Sequence, residues 1–175
     1  MSRYMSLIGQ NARKASLDKV NSKTKNKILK RYAFLLGKEK KSILKANQKD
    51  IQFALGKGLK NNLIERLTID EKKLIGIKNS IDKIANLKDP VDTTLEKWRR
   101  PNGLTISRVS IPIGVIGVIY ESRPNVTSDV ASLCFKSGNA VILKGGSEAI
   151  NTNKILAKLF RKSLKENKVN ENFIQ

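Results

Sequence analysis

The chain has 175 residues, and 39% of them are hydrophobic, which suffices for one domain with an apolar core. It carries a formal net charge of +20, one cysteine and no histidine. This composition excludes an internal disulfide, imidazole metal ligands and a Ser-His or Cys-His catalytic pair within these residues. With no secretory signal pattern and no apolar run long enough to span a bilayer, we expect a cytoplasmic protein without a metal site or a membrane contact.

The excess of basic residues raises the question of a nucleic-acid partner. The lysines are spread along the whole chain, and aromatic residues make up only 5% of it, too few for a platform on which bases stack. Because charge runs are usually solvated faces, we favour a solvated basic surface and do not expect a nucleic-acid site. A basic nucleic-acid-binding protein is kept as the alternative function.

Residues 1–91 show helical spacing of apolar side chains throughout. We predict packing helices here and no chemistry. The predicted helices cover residues 1 to about 20, residues 22–37 after a cap at Asn21 or Ser22 and ended by Gly37, residues 43–55 closed by Gly56 and Gly58, a short piece at 63–67, and a helix opened by a Thr68–Glu71 capping box and stopped by Asp89-Pro90.

Residues 92–111 differ in pattern from the helical part. Apolar and polar residues alternate over 104–109, and Asn102-Gly103 before them is a strong hairpin turn signal, with residues 95–99 as the partner strand. We predict a β-hairpin arm. Its exposed edges would be covered by pairing with another subunit, which predicts a role in oligomerisation.

Residues 112–175 have the order strand, helix, strand, helix. The predicted elements are a strand at 114–120 buried on both faces, a helix from Val126 ended by Gly138, a buried strand at 140–143, and a helix to about 165 capped by Ser147. This is the βαβα unit of an α/β fold with a parallel sheet.

Asn125 and Lys144 follow the two predicted strands, at the carboxyl edge where ligands of open α/β sheets bind. The Asn125 amide can donate to a developing oxyanion, and the alternative is a plain helix cap. Lys144 can hold a phosphate or a ribose hydroxyl while Gly145 and Gly146 let a ligand approach, and the alternative is an exposed lysine before a turn.

Cys134 lies on the apolar face of the helix that follows the first of these strands. A buried thiol behaves as a small hydrophobe, and the chain has no histidine that could activate it. We therefore predict that Cys134 is a structural residue and not a nucleophile.

Two runs in this region are specific enough to indicate a relationship: YESRPNV at 120–126 and SGNAVILKGGSEA at 137–149. The similarity extends through ANQKDI, LTIDEKK, LKDPV and WRRPNGLTISRVSIPIG. The chain thus resembles the γ-glutamyl phosphate reductase family (glutamate-5-semialdehyde dehydrogenase) of the aldehyde dehydrogenase superfamily. The resemblance implies an N-terminal fragment, because family members continue well past Gln175.

The resemblance implies a domain organisation and site residues. Residues 1–91 would be the helical part of the cofactor-binding domain, 92–111 the oligomerisation arm, and 112–175 the first βαβα unit of its Rossmann-like sheet. Asn125 matches the asparagine of the oxyanion hole, and Lys144 the lysine that contacts the cofactor ribose. Ser147 or Glu148 takes the place of a second ribose contact, beside Gly145 and Gly146.

The resemblance also implies an activity and partners. Family members use NADP(H) to reduce γ-glutamyl phosphate in proline biosynthesis, through attack by a cysteine thiolate, and they are functionally linked to glutamate 5-kinase. The nucleophilic cysteine belongs to a later segment, so we expect this chain to be inactive alone and the full-length protein to be a homo-oligomer. A third possibility is a non-catalytic interaction module that pairs through the hairpin arm.

Overall fold

The computed structural model of the protein describes residues 3–175. Within them it has seven α-helices and four strands, in an order that confirms the predicted α/β fold. The helices are α1 Arg3–Ser16, α2 Ser22–Lys38, α3 Lys40–Gly56, α4 Asn61–Leu67, α5 Glu71–Asn86, α6 Pro124–Lys136 and α7 Ile150–Glu166. The strands are β1 Thr94–Arg99, β2 Thr105–Val109, β3 Val115–Ile119 and β4 Ala140–Lys144.

The N-terminal helices differ from prediction at their ends. Helix α1 stops at Ser16, short of the predicted end near residue 20, and the predicted start at Met1 lies outside the described residues. Gly37 does not end α2, because it adopts no positive φ and the helix continues to Lys38. Only Glu39 separates α2 from α3, so these two helices meet at a tight corner.

The caps of two helices test the cap predictions. Asn21 caps α2 as predicted, and its side chain accepts a hydrogen bond of 2.9 Å from the Thr24 N–H. The predicted capping box at Thr68 is wrong. Asp70 caps α5 instead and accepts from the Lys73 N–H at 2.6 Å, whereas Thr68 stays at the end of α4, where its hydroxyl donates to the Ile64 carbonyl.

The predicted hairpin is confirmed. Strands β1 and β2 pair antiparallel, with Trp98 opposite Ile106, and Gly103 takes a positive φ of 85° in the connecting turn. Every residue of β1 is solvent-exposed, as are all but one of β2. The hairpin therefore projects from the body of the chain.

Strands β3 and β4 form a parallel pair, and Gly138 ends α6 with a φ of 76° as predicted. The backbone at Ile174 pairs in parallel with Val141, so β4 has neighbours on both sides. The prediction that β3 is buried on both faces is wrong, since Ile119 is 85% exposed. Within residues 3–175 no strand pairs with the outer edge of β3, which leaves its side chains partly open.

The apolar core joins the N-terminal helices to the sheet. Tyr32 of α2 stacks on Phe160 of α7 with 4.5 Å between ring centroids, and Phe135 of α6 packs edge-on against Phe160 and Phe173. One continuous cluster of buried side chains runs from α1 to Ile174, so the helices hold the sheet in place. The predicted boundaries between the helical part, the hairpin arm and the βαβα unit, at residues 91 and 111, stay predictions. None of the helices in residues 3–175 has the length and apolarity to cross a membrane.

Candidate functional site at the carboxyl edge of the sheet

The carboxyl ends of β3 and β4 lie side by side. Ile119 is the register partner of Lys144, and the Tyr120 N–H donates to the Lys144 carbonyl at 3.1 Å. The Tyr120 hydroxyl donates to Thr127 at 2.6 Å, because the Thr127 proton is itself donated to Asn153 at 2.9 Å. This chain of hydrogen bonds fixes the end of β3 to α6 and α7.

Asn125 occupies the first turn of α6, after Pro124. It does not cap the helix, since Arg123 holds the cap position. The Asn125 amide nitrogen instead donates to an Asp129 carboxylate oxygen at 3.3 Å. An amide NH₂ group has two donors, so the contact with Asp129 leaves one N–H for a ligand.

A groove of about 390 Å³ opens beside Asn125. Helix α6 contributes Asn125 and Asp129, and the opposite wall comes from α5 and the end of α4, including Arg66, Lys73 and Ser80. The sequence patterns did not predict this groove, because its two walls, residues 66–80 and 125–129, lie far apart in the chain. A larger cavity of about 540 Å³ lies at the other end of β3, around Gly114, and contains neither Asn125 nor Lys144.

The turn after β4 packs tightly on its own side chains. A Cβ atom at Gly145 would approach Tyr120 within 3.0 Å and crowd Asn153, and a Cβ atom at Gly146 would collide with the Glu148 carboxylate. Gly145 is therefore required by the packing of the turn, whether or not a ligand approaches, whereas a Cβ atom at Gly146 would displace only the end of the flexible Glu148 side chain. Lys144 itself is solvent-exposed.

Glu148 is held by two hydroxyl groups. One of its carboxylate oxygens accepts a hydrogen bond from Ser122, and the other accepts from Ser147 at 3.4 Å. The hydrogen bond from Ser122 holds the pKa of Glu148 below its ordinary value, and the charge of Lys144 acts in the same direction. Glu148 is thus an ionised carboxylate at neutral pH, close to a lysine and two hydroxyls.

The prediction that Ser147 caps α7 is wrong, because Ser147 belongs to a separate 3-10 turn over Ser147–Ala149. Asp50 of α3 caps α7 from the side. Its two carboxylate oxygens accept from the backbone N–H and side chain of Asn151, at 3.1 and 2.7 Å, and of Thr152, at 2.7 and 2.6 Å. The positive end of α7 is therefore already neutralised by a carboxylate and does not offer a phosphate site.

Cys134 lies on the packed face of α6 as a buried free thiol. Burial raises the pKa of this thiol, which lowers the fraction of thiolate at neutral pH. This environment confirms that Cys134 packs in the core.

The turn after β4 carries polar groups that can hydrogen-bond a nucleotide ribose. Lys144, Ser147 and Glu148 present a cation, a hydroxyl and a carboxylate, and ribose hydroxyls both donate and accept hydrogen bonds. The residues present therefore fit the ribose of a dinucleotide cofactor. They do not supply a site for its pyrophosphate at α7, since Asp50 fills that position.

The chain shares its fold with solved structures of aldehyde dehydrogenases. The chain superimposes on a probable aldehyde dehydrogenase from Listeria monocytogenes with a TM-score of 0.69 at 12% identity, over 98% of this chain and 36% of that one, which shows a shared fold. The crystal structure of γ-glutamyl phosphate reductase from Thermotoga maritima matches much more closely. The TM-score is 0.94 at 38% identity, over 98% of this chain and 42% of that chain.

Curated sequences agree with this structural match. The γ-glutamyl phosphate reductase of Persephonella marina is 43% identical over 174 residues, and that of Hydrogenobaculum is 51% identical over 150 residues. The chain is homologous to the N-terminal part of γ-glutamyl phosphate reductases, which confirms the resemblance. It spans 39% and 34% of the lengths of these two relatives. No protein-family model matches the chain.

Proposed function

We propose that this chain forms the N-terminal part of an NADPH-dependent reductase that converts γ-glutamyl phosphate to glutamate-5-semialdehyde and phosphate in proline biosynthesis. The observation that carries the proposal is the Asn125 amide, which stands at the start of α6 with one N–H free beside an open groove. The names of the homologous enzymes support the same reaction.

Asn125 would stabilise the negative charge that forms on the substrate's γ-carbonyl oxygen during the reaction. Attack on the γ-carbonyl carbon moves charge onto the carbonyl oxygen, and an amide donor placed beforehand stabilises that charge without reorganisation. Pro124 and the first turn of α6 fix the backbone at this position, and Asp129 fixes the amide. Asn125 is then one donor of an oxyanion hole.

Lys144 would contact the ribose of the cofactor, with Ser147 or Glu148 as the second contact. When bound, NADPH supplies the hydride of the reduction. The absence of a Cβ atom at Gly145 lets the turn pack against Tyr120 at the end of β3. The Ser122 hydroxyl orients Glu148 within this set.

The chain alone would not complete the reaction. A thioester needs a thiolate, and Cys134 is buried in the core with no cation or base placed to activate it. The nucleophile would come from a later segment of the full-length polypeptide. In that context we propose a cytoplasmic homo-oligomer, assembled in part through the hairpin arm and functionally linked to glutamate 5-kinase.

A chimera tests the proposed function. Residues 1–175 replace the matching segment of the Persephonella marina reductase, and reduction is followed in reverse as NADPH formation from glutamate-5-semialdehyde, NADP⁺ and phosphate. We expect an active enzyme, in which Asn125→Ala lowers kcat by about 10²–10³, the usual loss for one oxyanion donor. Lys144→Ala should raise the KM for NADP⁺ with a smaller effect on turnover.

Cys134→Ser is the matched control in the same chimera, because this thiol is placed in the core and away from the reacting atoms. It should keep most of the activity. An inactive parent chimera, or an Asn125→Ala variant with unchanged kcat, would contradict the proposal. Salt-sensitive binding of random DNA by the 175-residue chain would instead favour the nucleic-acid alternative.

A further inference from the structure

Asp129, which lines the groove beside Asn125, has a carboxylate oxygen that lacks a donor. Asp129 accepts from Asn125 through one oxygen, whereas its other oxygen, Oδ1, is shielded from solvent and has no hydrogen-bond partner among residues 3–175. A buried carboxylate oxygen without a donor is costly, so a donor in the groove gains free energy when the Asp129 carboxylate turns this oxygen toward it. A cationic donor gains the most.

The opposite wall of the groove carries a positively charged side chain, Arg66, that can bind an anionic group. Lys73 is not available, because its ammonium group donates to the carbonyls of Glu65 and Thr68, at 2.8 and 2.9 Å, and closes the end of α4. Arg66 lines the groove, is exposed, and forms no ion pair with any described residue. A guanidinium group with free donors is suited to bind a carboxylate.

We propose that this groove recognises the α-amino acid end of a γ-glutamyl substrate, with Asp129 on the α-ammonium group and Arg66 on the α-carboxylate. The inference rests on the proposed function and deepens it, since it assigns the end of the substrate that does not react. The γ-carbonyl then lies at Asn125. Three groups of one small ligand thus meet three side chains of one groove.

The spacing of the side chains suits such a ligand. Asn125 and Asp129 are one helical turn apart, with about 5–6 Å between their Cβ atoms. A γ-glutamyl group separates its carbonyl from its α-carbon by two methylene groups, which is a comparable reach. A groove of about 390 Å³ is also of the size in which small ligands are bound.

Two stable compounds separate the contributions of the two residues. L-Glutamine carries a γ-carbonyl, an α-ammonium and a carboxylate, and 4-carbamoylbutanoate is the same molecule without the ammonium group. Their dissociation constants for the 175-residue chain are measured by chemical-shift titration, which detects millimolar binding. We expect L-glutamine to bind about tenfold more tightly or better, as for a hydrogen bond between charged groups.

The variants should respond differently. Asp129→Asn should bring the ratio of the two constants close to one, whereas Arg66→Gln should weaken both ligands by a similar factor, because both carry the carboxylate. Asp82→Asn is the control, because Asp82 lies outside the groove and pairs with Lys78 on the surface of α5. Thermal melts of the variants confirm that each is folded.

Three results would overturn the inference: binding of neither compound, equal binding of both by the parent chain, or a preference that survives in Asp129→Asn. These outcomes are distinct from failure of the proposed function, which is measured by the activity of the chimera. An active chimera whose chain shows no preference between the two compounds would reject the inference and leave the proposed function standing.

Discussion

At the scale of single residues, two side chains of α6 have different roles because one borders a groove and the other is buried. Asn125 borders an open groove, and Cys134 is packed in the core two and a half turns later. The burial of Cys134 was predictable because apolar spacing identifies the packed face of a helix. The partner of Asn125 was not predicted, although Asp129 follows at the i+4 position where helical side chains meet.

The buried thiol gives the first prediction. Cys134 should react with Ellman's reagent at pH 8 at least about 10²-fold more slowly in the native chain than in urea, because burial both shields it and raises its pKa. The absorbance of the aromatic thiolate that Ellman's reagent releases measures the native and the denatured reaction rates on the same sample. A native rate equal to the denatured rate would show that α6 is not packed as described.

At the scale of elements, the caps explain why some helix boundaries were predicted wrongly. Local patterns identified Thr68 and Ser147 as caps, but Asp70 and Asp50 take those roles. Thr68 and Asp70 are two residues apart, and local sequence does not decide between them. Asp50 lies about a hundred residues before the helix it caps, so only the packing of α3 on α7 creates that cap.

These two aspartates give a matched pair of variants. Asp50→Ala removes a buried carboxylate with four donors and leaves N–H groups of α7 unsatisfied, so we expect a loss of about 2–3 kcal/mol in the free energy of unfolding. Asp70→Ala removes an exposed cap and should cost about 1 kcal/mol. Urea unfolding followed by circular dichroism measures both. Equal losses would mean that burial adds nothing to the cap.

At the scale of the whole molecule, the order of elements was predictable and the long-range contacts were not. Periodicity and turn residues identified the helices, the hairpin and the parallel strands, because these depend on neighbours in the chain. The exposure of β3 was missed because a Val- and Ile-rich run has the same composition at an edge and in the centre of a sheet. The groove between Arg66 and Asp129 was not predicted because it forms only where α6 packs against α5 and the end of α4.

A buried ion cluster connects the ends of three helices and gives a prediction about the stability of the fold at low pH. Lys25 of α2 donates to both Asp89 oxygens at 3.0 Å, and Lys136 of α6 donates to the Ala85 carbonyl of α5 at 3.0 Å. Burial opposes ionisation of Asp89, but the Val91 N–H and Lys25 outweigh it and hold its pKa below the ordinary value. The carboxylate therefore stabilises the fold above the ordinary pKa of about 4, and this contribution is lost as pH falls through the lower native value.

Asp89→Asn tests this cluster. At pH 7 it should lower the free energy of unfolding by about 3 kcal/mol, because Lys25 is left buried without its counter-charge. The difference between the parent chain and the variant should shrink as pH falls below the ordinary pKa of about 4 and through the lower native value, because the parent carboxylate then becomes protonated as well. Urea midpoints at pH 7, 5 and 3 give the comparison. A difference independent of pH would mean that Asp89 acts through packing and not through charge.

The projecting hairpin predicts that the chain self-associates. Exposed apolar side chains follow both of its strands, namely Leu95, Trp98, Leu104 and Val109, which are 40–58% exposed. A surface of this kind is stabilised when a second copy covers it, whereas the net charge of +20 opposes association. Sedimentation equilibrium should therefore show mass that rises with protein concentration and rises further with salt, which screens the repulsion.

Trp98→Lys should shift this equilibrium toward monomer by at least about tenfold in dissociation constant, since it removes a large apolar side chain from the hairpin and adds a charge. Ile75→Lys is the control, because Ile75 is 58% exposed on α5 and lies outside the hairpin. Both variants add the same charge, so a specific hairpin interface requires that only Trp98→Lys has a large effect. Equal effects would assign association to net charge, and a monomer at every concentration and salt would show that the exposed hairpin is tolerated without a partner.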